Sequence, residues 1–142
     1  MEEETYYIDS NVFIFAYNDD EKLGELSRQI LNLIINNKIN AFTSILTFDE
    51  LFYQVKRLKG RENALLSSKL FLNLKNLNFI DVNLNILANS YSILKNYNLN
   101  PRDAIHLSCA LFRNIKNIIT DDEDFNNIKD IKRFKLKDFS RL

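Results

Sequence analysis

Acidic residues are the side chains of this 142-residue sequence best suited to chemistry. Four segments far apart in the chain carry them: Asp9, the pair Asp49-Glu50, Asp103 and the run Asp121-Asp122-Glu123-Asp124. Carboxylates that lie close together repel each other, and a divalent cation removes that repulsion. Their hard oxygen atoms suit Mg²⁺ or Mn²⁺, which chiefly assist phosphoryl and phosphodiester chemistry. A fold that gathers these segments would create a metal site of that kind.

The scarce residues exclude most other chemistries. Gly24 and Gly60 stand alone, so the sequence has neither a glycine-rich dinucleotide turn nor a phosphate-binding loop. The single cysteine excludes an internal disulfide and a CxxC metal or redox site. The single histidine excludes histidine-rich zinc sites, and a nucleophile–histidine triad would have to use His106, for which the sequence offers no other support.

The hydrophobic pattern predicts elements that could bring the acids together. Short β-prone runs alternate with segments of helical periodicity, which predicts parallel βα units in an α/β sandwich. Asn100 and Pro101 suit the cap and first position of the last helix. The strand candidates are 6–8, 41–43, 79–80, 118–120 and 133–136, and the helix candidates are 12–17, 22–37, 48–58, 66–77, 84–94 and 101–112.

Sites in parallel sheets lie at the carboxyl ends of the strands. Asp9 and the acids 121–124 directly follow predicted strands, whereas Glu50 and Asp103 lie near the starts of predicted helices. Taken singly, each acid has an ordinary explanation, because carboxylates favour the first turn of a helix and solvated turns. Taken together, they predict one acidic edge of the sheet.

The charge is balanced overall but unevenly distributed. The 19 basic and 19 acidic residues argue against a generally cationic nucleic-acid coat, although they leave room for a local one. Residues 1–28 hold eight acids and two bases, residues 56–61 hold four bases, and residues 129–142 hold six bases and two acids. The simplest interpretation of each run by itself is a solvated face.

The sequence predicts a cytoplasmic protein without a membrane partner. Its start, MEEETYYIDS, is acidic where a signal peptide would be basic. No stretch approaches the roughly 20 apolar residues of a membrane-spanning helix. A lone cysteine also fits a reducing compartment.

Four motifs occur in a fixed order along the chain. They are YYIDSNVFIFAY around Asp9, SILTFDEL from Ser44, RDAIHLSCAL from Arg102 and TDDEDF from Thr120. In this order, and in a chain of this size, they resemble the motifs of the PIN-domain ribonucleases, especially the VapC-type toxins of toxin–antitoxin pairs. The resemblance covers about residues 5–137.

The resemblance implies one PIN-like domain over residues 1–142, a three-layer α/β/α sandwich with a short, mainly parallel central sheet. It implies an endoribonuclease that depends on Mg²⁺ or Mn²⁺, with one or two ions held by an acidic quartet. By motif position the quartet is Asp9, Glu50, Asp103 and Asp122, with Asp124 similar to a fifth acid of some members. Asp122 is preferred because it follows Thr120 by two residues, and Glu50 because Leu51 follows it, but Asp121 and Asp124 stay open as alternatives.

Supporting roles follow from the same resemblance. Ser10, Asn11, Ser44 and Thr120 would orient the metal ligands, although Ser44 and Thr120 could equally be helix caps. Phosphates of the RNA would contact basic side chains, for which the candidates are Lys56, Arg57, Lys59, Arg61 and Arg102. His106 has a packing or hydrogen-bonding role in this interpretation.

The implied partners are an RNA substrate, a cognate antitoxin and a second copy of the chain. The helices predicted at 48–58 and 66–77 could form the protein contacts, with burial in the core as the default alternative. Two other functions remain open. An inactive PIN-like binding or scaffold module would lack one or more of the acids, and none is missing. A different acid-cluster phosphohydrolase of the haloacid-dehalogenase type would need a second aspartate two residues after Asp9, where Asn11 stands.

Overall fold

Strands and helices alternate along the chain in the computed structural model, which describes residues 4–139. The strands are β1 (Thr5–Ile8), β2 (Asn40–Ser44), β3 (Leu77–Ile80), β4 (Asn117–Ile119) and β5 (Lys132–Phe134). The helices are α1 (Ser10–Asn18), α2 (Lys22–Ile35), α3 (Leu46–Lys59), α4 (Arg61–Leu72), α5 (Leu84–Asn96) and α6 (Pro101–Phe112). Over the described residues, none of these helices has the length and apolar character needed to cross a membrane.

The five strands form one parallel sheet in the order β3-β2-β1-β4-β5. Strand β1 lies at the centre, where Tyr7 is in register with Phe42 of β2 and Ile118 of β4. Because all strands run in the same direction, the residues that follow β1, β2 and β4 leave the sheet at one edge. This edge carries the candidate site.

Helices cover both faces of the sheet, because successive side chains of a strand point in opposite directions. Tyr6 and Ile8 of β1 belong to a core shared with α1 to α4, whereas Tyr7 belongs to a second core shared with α5 and α6. The architecture is therefore the predicted three-layer α/β/α sandwich with a parallel sheet.

The predicted helix at 66–77 is wrong at its C-terminal end, and burial in the core, the default alternative for its leucine stripe, is wrong for Leu66 and Leu70. Helix α4 ends at Leu72, and Leu77 begins β3. Leu66 and Leu70 are exposed, while Ala64 and Phe71 are buried with two serines of the same helix. Regular leucine spacing indicated a helix correctly but not the face that the helix buries.

Asparagine and glycine shape the turns in different ways. Helices α2 and α6 each end before an asparagine of positive φ, Asn37 at 57° and Asn114 at 56°. The Lys38 N–H then donates to Leu33 O and the Ile115 N–H to Ala110 O, as in a Schellman motif. Gly24 is required for a steric reason, because a Cβ there would lie 1.7 Å from the carbonyl oxygen of Asp19.

Candidate metal centre

Asp9 lies at the junction of β1 and α1, at the centre of the carboxyl edge. Its backbone N–H donates to Ile119 O at 3.0 Å, and its side chain caps α1 by accepting from the Ser10 N–H at 2.8 Å. The carboxylate is only 3% exposed, so burial raises the pKa of Asp9 above its ordinary value. The Asp9 carboxylate is therefore held in place by the backbone around it.

Thr120 connects Asp9 to the turn that follows β4. Its hydroxyl donates to Asp9 Oδ2 at 2.7 Å and accepts from Asn11 Nδ2 and from the Asp122 N–H, both at 3.0 Å. Thr120 itself is fully buried. One hydroxyl group thus fixes an acid of the first motif, an amide of the same motif and the backbone of the fourth.

The partly buried Glu50 and the buried His106 form the second hydrogen-bonded part of the edge. His106 Nε2 donates to Glu50 Oε1 at 2.5 Å, and His106 Nδ1 lies 2.5 Å from the Tyr7 hydroxyl. Ser10 Oγ donates to the other oxygen, Glu50 Oε2, at 3.1 Å. Burial opposes the imidazolium form of His106, but the Glu50 hydrogen bond and the charge of Asp9 raise its pKa above the usual value.

Three further acids meet in front of this buried pair. Asp103, Asp122 and Asp124 each present a carboxylate oxygen, and these oxygens lie within 4.8 Å of one another. Burial and the charges of Asp9 and Asp122 raise the pKa of Asp103 to about 7. The carboxylates therefore repel each other as they stand, and a divalent cation between them would remove the repulsion.

The acids next to two of the predicted ligands point elsewhere. Asp121 Oδ1 accepts from the Leu136 N–H at 3.2 Å, on the far side of the turn. Asp49 lies at the surface, with Oδ2 4.0 Å from Arg102 Nη2. This geometry favours Asp122 over Asp121 and Glu50 over Asp49 as ligand candidates.

The remaining predicted residues fall into two groups. Ser44 Oγ accepts at 3.2 Å from the N–H of Leu46, the first residue of α3, although Ile45 is the N-cap of that helix. Arg102 lines the cleft over the acids, which has a volume of about 540 Å³ and is lined by Glu50, Asn100, Pro101, Arg102, Asp103 and Asp122. The other basic candidates, Lys56, Arg57, Lys59 and Arg61, lie at the end of α3 and the start of α4. Among the described residues that line the cleft over the acids, Arg102 is the one basic candidate, and Lys59 follows Glu50 by nine residues, about 13 Å along a helix.

Comparison of the sequence with models of known protein families finds a match over most of the chain. The family model for the PIN domain matches residues 6–131. The chain belongs to the PIN domain family. A comparison with curated protein sequences finds no significant match.

Solved structures share the architecture of this PIN domain at low sequence identity. VapBC2 from Rickettsia felis, bound to a promoter DNA fragment, matches with a TM-score of 0.71 and 20% identity over 92% of this chain and 98% of that one. DNA-bound VapBC from Salmonella typhimurium matches with a TM-score of 0.72 and 19% identity over 94% and 98%. VapC20 from Mycobacterium tuberculosis, described as a toxin that cleaves the sarcin–ricin loop, matches with a TM-score of 0.71 and 14% identity over 85% and 92%. These likenesses establish the fold.

The donor set of this PIN domain fits a hard divalent cation. The candidate ligands are carboxylate oxygens, which Mg²⁺ and Mn²⁺ prefer. Asn11 adds a second indication, because its Oδ1 is buried and has no hydrogen-bond partner among the described residues. An amide oxygen without a donor beside this acidic group is available to a cation or to its water shell.

The structure gives Tyr7 and His106 a closer connection to the site than sequence reasoning did. Tyr7 was one residue of a predicted strand, and His106 had a packing or hydrogen-bonding role. His106 is 1% exposed, and its Nε2 also lies 3.7 Å from Asp9 Oδ1. Two sequence patterns could have indicated this. Asp103 and His106 are three residues apart and so share a helix face, and alternation along the strand turns Tyr7 to the face opposite Tyr6.

Proposed function

We propose that this PIN domain is an endoribonuclease that depends on Mg²⁺ or Mn²⁺ and serves as the toxin of a VapBC-type toxin–antitoxin pair. The observation that carries the proposal is the meeting of Asp103, Asp122 and Asp124 in front of the buried acids Asp9 and Glu50. PIN domains are generally nucleases, and this chain keeps every acid that the resemblance requires.

Four carboxylates, Asp9, Glu50, Asp103 and Asp122, would hold the cation, with Asp124 as a fifth ligand. When bound, the cation would activate water and neutralise charge on the scissile phosphodiester. The chain's own contribution is to fix the ligands beforehand, because every oxygen of Asp9 and Glu50 already accepts a hydrogen bond. Such prior ordering avoids reorganisation during the reaction.

Protons and cations compete for the open part of the site. Since the pKa of Asp103 is raised to about 7, this carboxyl group is partly protonated at neutral pH without a cation. Binding of a divalent cation would displace that proton, so apparent cation affinity should increase with pH through this range. Arg102 at the mouth of the cleft would contact an RNA phosphate.

The proposed partners are a cognate antitoxin and a second copy of the chain, in the cytoplasm. Several similar structures are VapBC complexes, and FitAcB from Neisseria gonorrhoeae is also among the matches. The described part of this chain leaves groups of large apolar side chains exposed on three helices, which is typical of interaction surfaces. They include Phe48, Tyr53 and Leu58 on α3, Leu65, Leu66, Leu70 and Leu72 on α4, and Leu84, Leu87 and Tyr91 on α5.

The nuclease proposal is tested with structured RNAs, including a sarcin–ricin stem-loop, incubated with Mg²⁺, with Mn²⁺ or with EDTA. We expect cleavage only with a cation, and a loss of at least about 100-fold in the variants Asp9→Asn and Asp103→Asn. Asp121→Asn is the matched control, because it removes a neighbouring acid that points away from the site. Equal cleavage by all three variants, or cleavage in EDTA, would contradict the proposal.

A further inference from the structure

A second charged cleft lies on the other side of the turn that carries Asp122 and Asp124. This basic cleft has a volume of about 410 Å³ and is lined by Lys22, Leu23, Leu26, Asp121, Glu123, Arg133, Lys135 and Lys137. The fold thus brings a lysine from the acidic N-terminal part of the sequence to three bases of the C-terminal basic run. The solvated-face interpretation of that run does not explain why its bases line a cleft.

The turn at 120–124 is a wall shared by the basic cleft and the metal centre. Asp122 and Asp124 present carboxylate oxygens to Asp103, whereas Asp121 and Glu123 line the basic cleft, although Glu123 and Asp124 also line a smaller pocket together. One short segment therefore borders both the metal centre and the basic cleft. The two binding environments are thus adjacent in sequence, on either side of one turn.

Arg133 in the basic cleft is hydrogen-bonded to the turn that borders the metal centre. Its Nε donates to the Thr120 carbonyl at 3.1 Å, and its Nη1 donates to Asn126 Oδ1 at 2.7 Å. The hydroxyl of the same Thr120 donates to Asp9. A single residue thus separates an anchored guanidinium from the buried carboxylate of the metal centre.

Among the described residues, the basic cleft has a surplus of positive charge. Lys22, Arg133 and Lys135 line it against two acids, and one of those acids, Asp121, accepts a backbone N–H. Among the described residues, neither Lys22 nor Lys135 has a carboxylate within ion-pair distance of its ammonium group. Lys22 also begins α2, whose first turn has no side-chain cap and adds the positive end of a helix dipole.

We propose that the basic cleft binds phosphates of the RNA strand that flank the cleaved bond. This inference rests on the proposed nuclease function, and it names the part of the protein that offsets repulsion between the acids and the RNA. A cation neutralises only the phosphate it contacts, so the neighbouring phosphates need positive charge close to the acidic edge. Lys22, Arg133 and Lys135 supply that charge next to the turn at 120–124.

The test removes two charges from the basic cleft with the double variant Lys22→Gln, Lys135→Gln. A fluorescently labelled RNA that the wild type cleaves is titrated with protein carrying Asp103→Asn, which suppresses cleavage, over a series of NaCl concentrations. We expect affinity to fall roughly tenfold at moderate salt, and the salt slope to decrease by about 1.4, or about 0.7 for each lost phosphate contact to a single strand. In the cleavage-competent protein, KM should rise while kcat changes little, because the metal ligands remain.

The matched control is the double variant Lys38→Gln, Lys116→Gln. It loses the same charge at exposed positions that precede β2 and β4, at the opposite edge of the sheet. Cleavage by the wild type, combined with equal affinities and salt slopes for the two double variants, would overturn the basic cleft alone. Failure of the wild type to bind or cleave any RNA would overturn the nuclease proposal and the basic cleft with it.

Discussion

The acidic edge has two halves that are built differently. In the buried half, all four carboxylate oxygens of Asp9 and Glu50 accept hydrogen bonds, from Ser10, Thr120 and His106. In the open half, Asp103 accepts no side-chain hydrogen bond from the described residues, Asp124 is exposed, and Asp122 Oδ1 accepts the Asp124 N–H at 2.9 Å. The protein therefore fixes every oxygen of the first half by hydrogen bonds, whereas the second half has fewer such bonds and carboxylates that repel each other.

This difference separates folding from cation binding. The buried half must form with the fold, because unpaired carboxylates at such positions would be costly. The open half can remain partly protonated until a cation arrives, as the raised pKa of Asp103 shows. Changes in the buried half should thus affect the stability of the cation-free protein, and changes in the open half should affect its response to cations and pH.

The largest expected effect is the loss of stability in His106→Leu. This change removes the hydrogen bonds that His106 makes to the partly buried Glu50 carboxylate and to the Tyr7 hydroxyl, at a cost of about 3 kcal/mol in the free energy of unfolding. Urea denaturation in EDTA measures it. Cys109→Ala, at another buried position of α6, should cost about 1 kcal/mol. Equal losses in both variants would contradict the distinction between the halves.

The next effect is stabilisation by a divalent cation. Mn²⁺ at roughly a hundredfold excess over its Kd should raise the free energy of unfolding of the wild type by about 2.7 kcal/mol. Thermal melts should show a strongly reduced response in Asp103→Asn and a full response in Asp121→Asn. The same response to Mn²⁺ in all three proteins would mean that the open half is not the cation site.

A further effect is a pH dependence that comes from Asp103. Its pKa is about 7 in the folded protein against an ordinary value of 3.8, so the folded state binds the proton more tightly than the unfolded state. Without a cation, this group therefore stabilises the protein at low pH, and its contribution is lost as the pH rises through about 7. The difference in free energy of unfolding between Asp103→Asn and the wild type should move in favour of the variant between about pH 4 and pH 8. Parallel curves would contradict the raised pKa.

Sequence reasoning recovered what depends on local pattern. β-Branched and aromatic runs predicted β1 and β4, and Pro101 marked the first residue of α6. The rule that ligands gather at the carboxyl ends of parallel strands then indicated the edge that carries Asp9 and Asp122. Asn100 is the N-cap of α6 as predicted, although its side chain makes no capping hydrogen bond.

What sequence reasoning missed depends on contacts between distant segments. The Glu50–His106 hydrogen bond joins residues 56 positions apart, and no local spacing encodes it. The basic cleft likewise joins Lys22 to Lys135 across most of the chain. Leucine spacing on α4 failed for another reason, since exposed leucines at helical intervals look the same in sequence as buried ones.

The helix ends and turns of this glycine-poor chain determine which substitutions its sequence can accept at those positions. At Asn37 and Asn114 the left-handed backbone suits glycine as well as asparagine, so either residue can be exchanged for the other without rebuilding the helix end. Gly24 has no such alternative, because the carbonyl of Asp19 occupies the space of any side chain. Among related chains, drift should therefore be tolerated at the asparagine turns and rejected at this one glycine, even though all three positions lie outside the acidic edge.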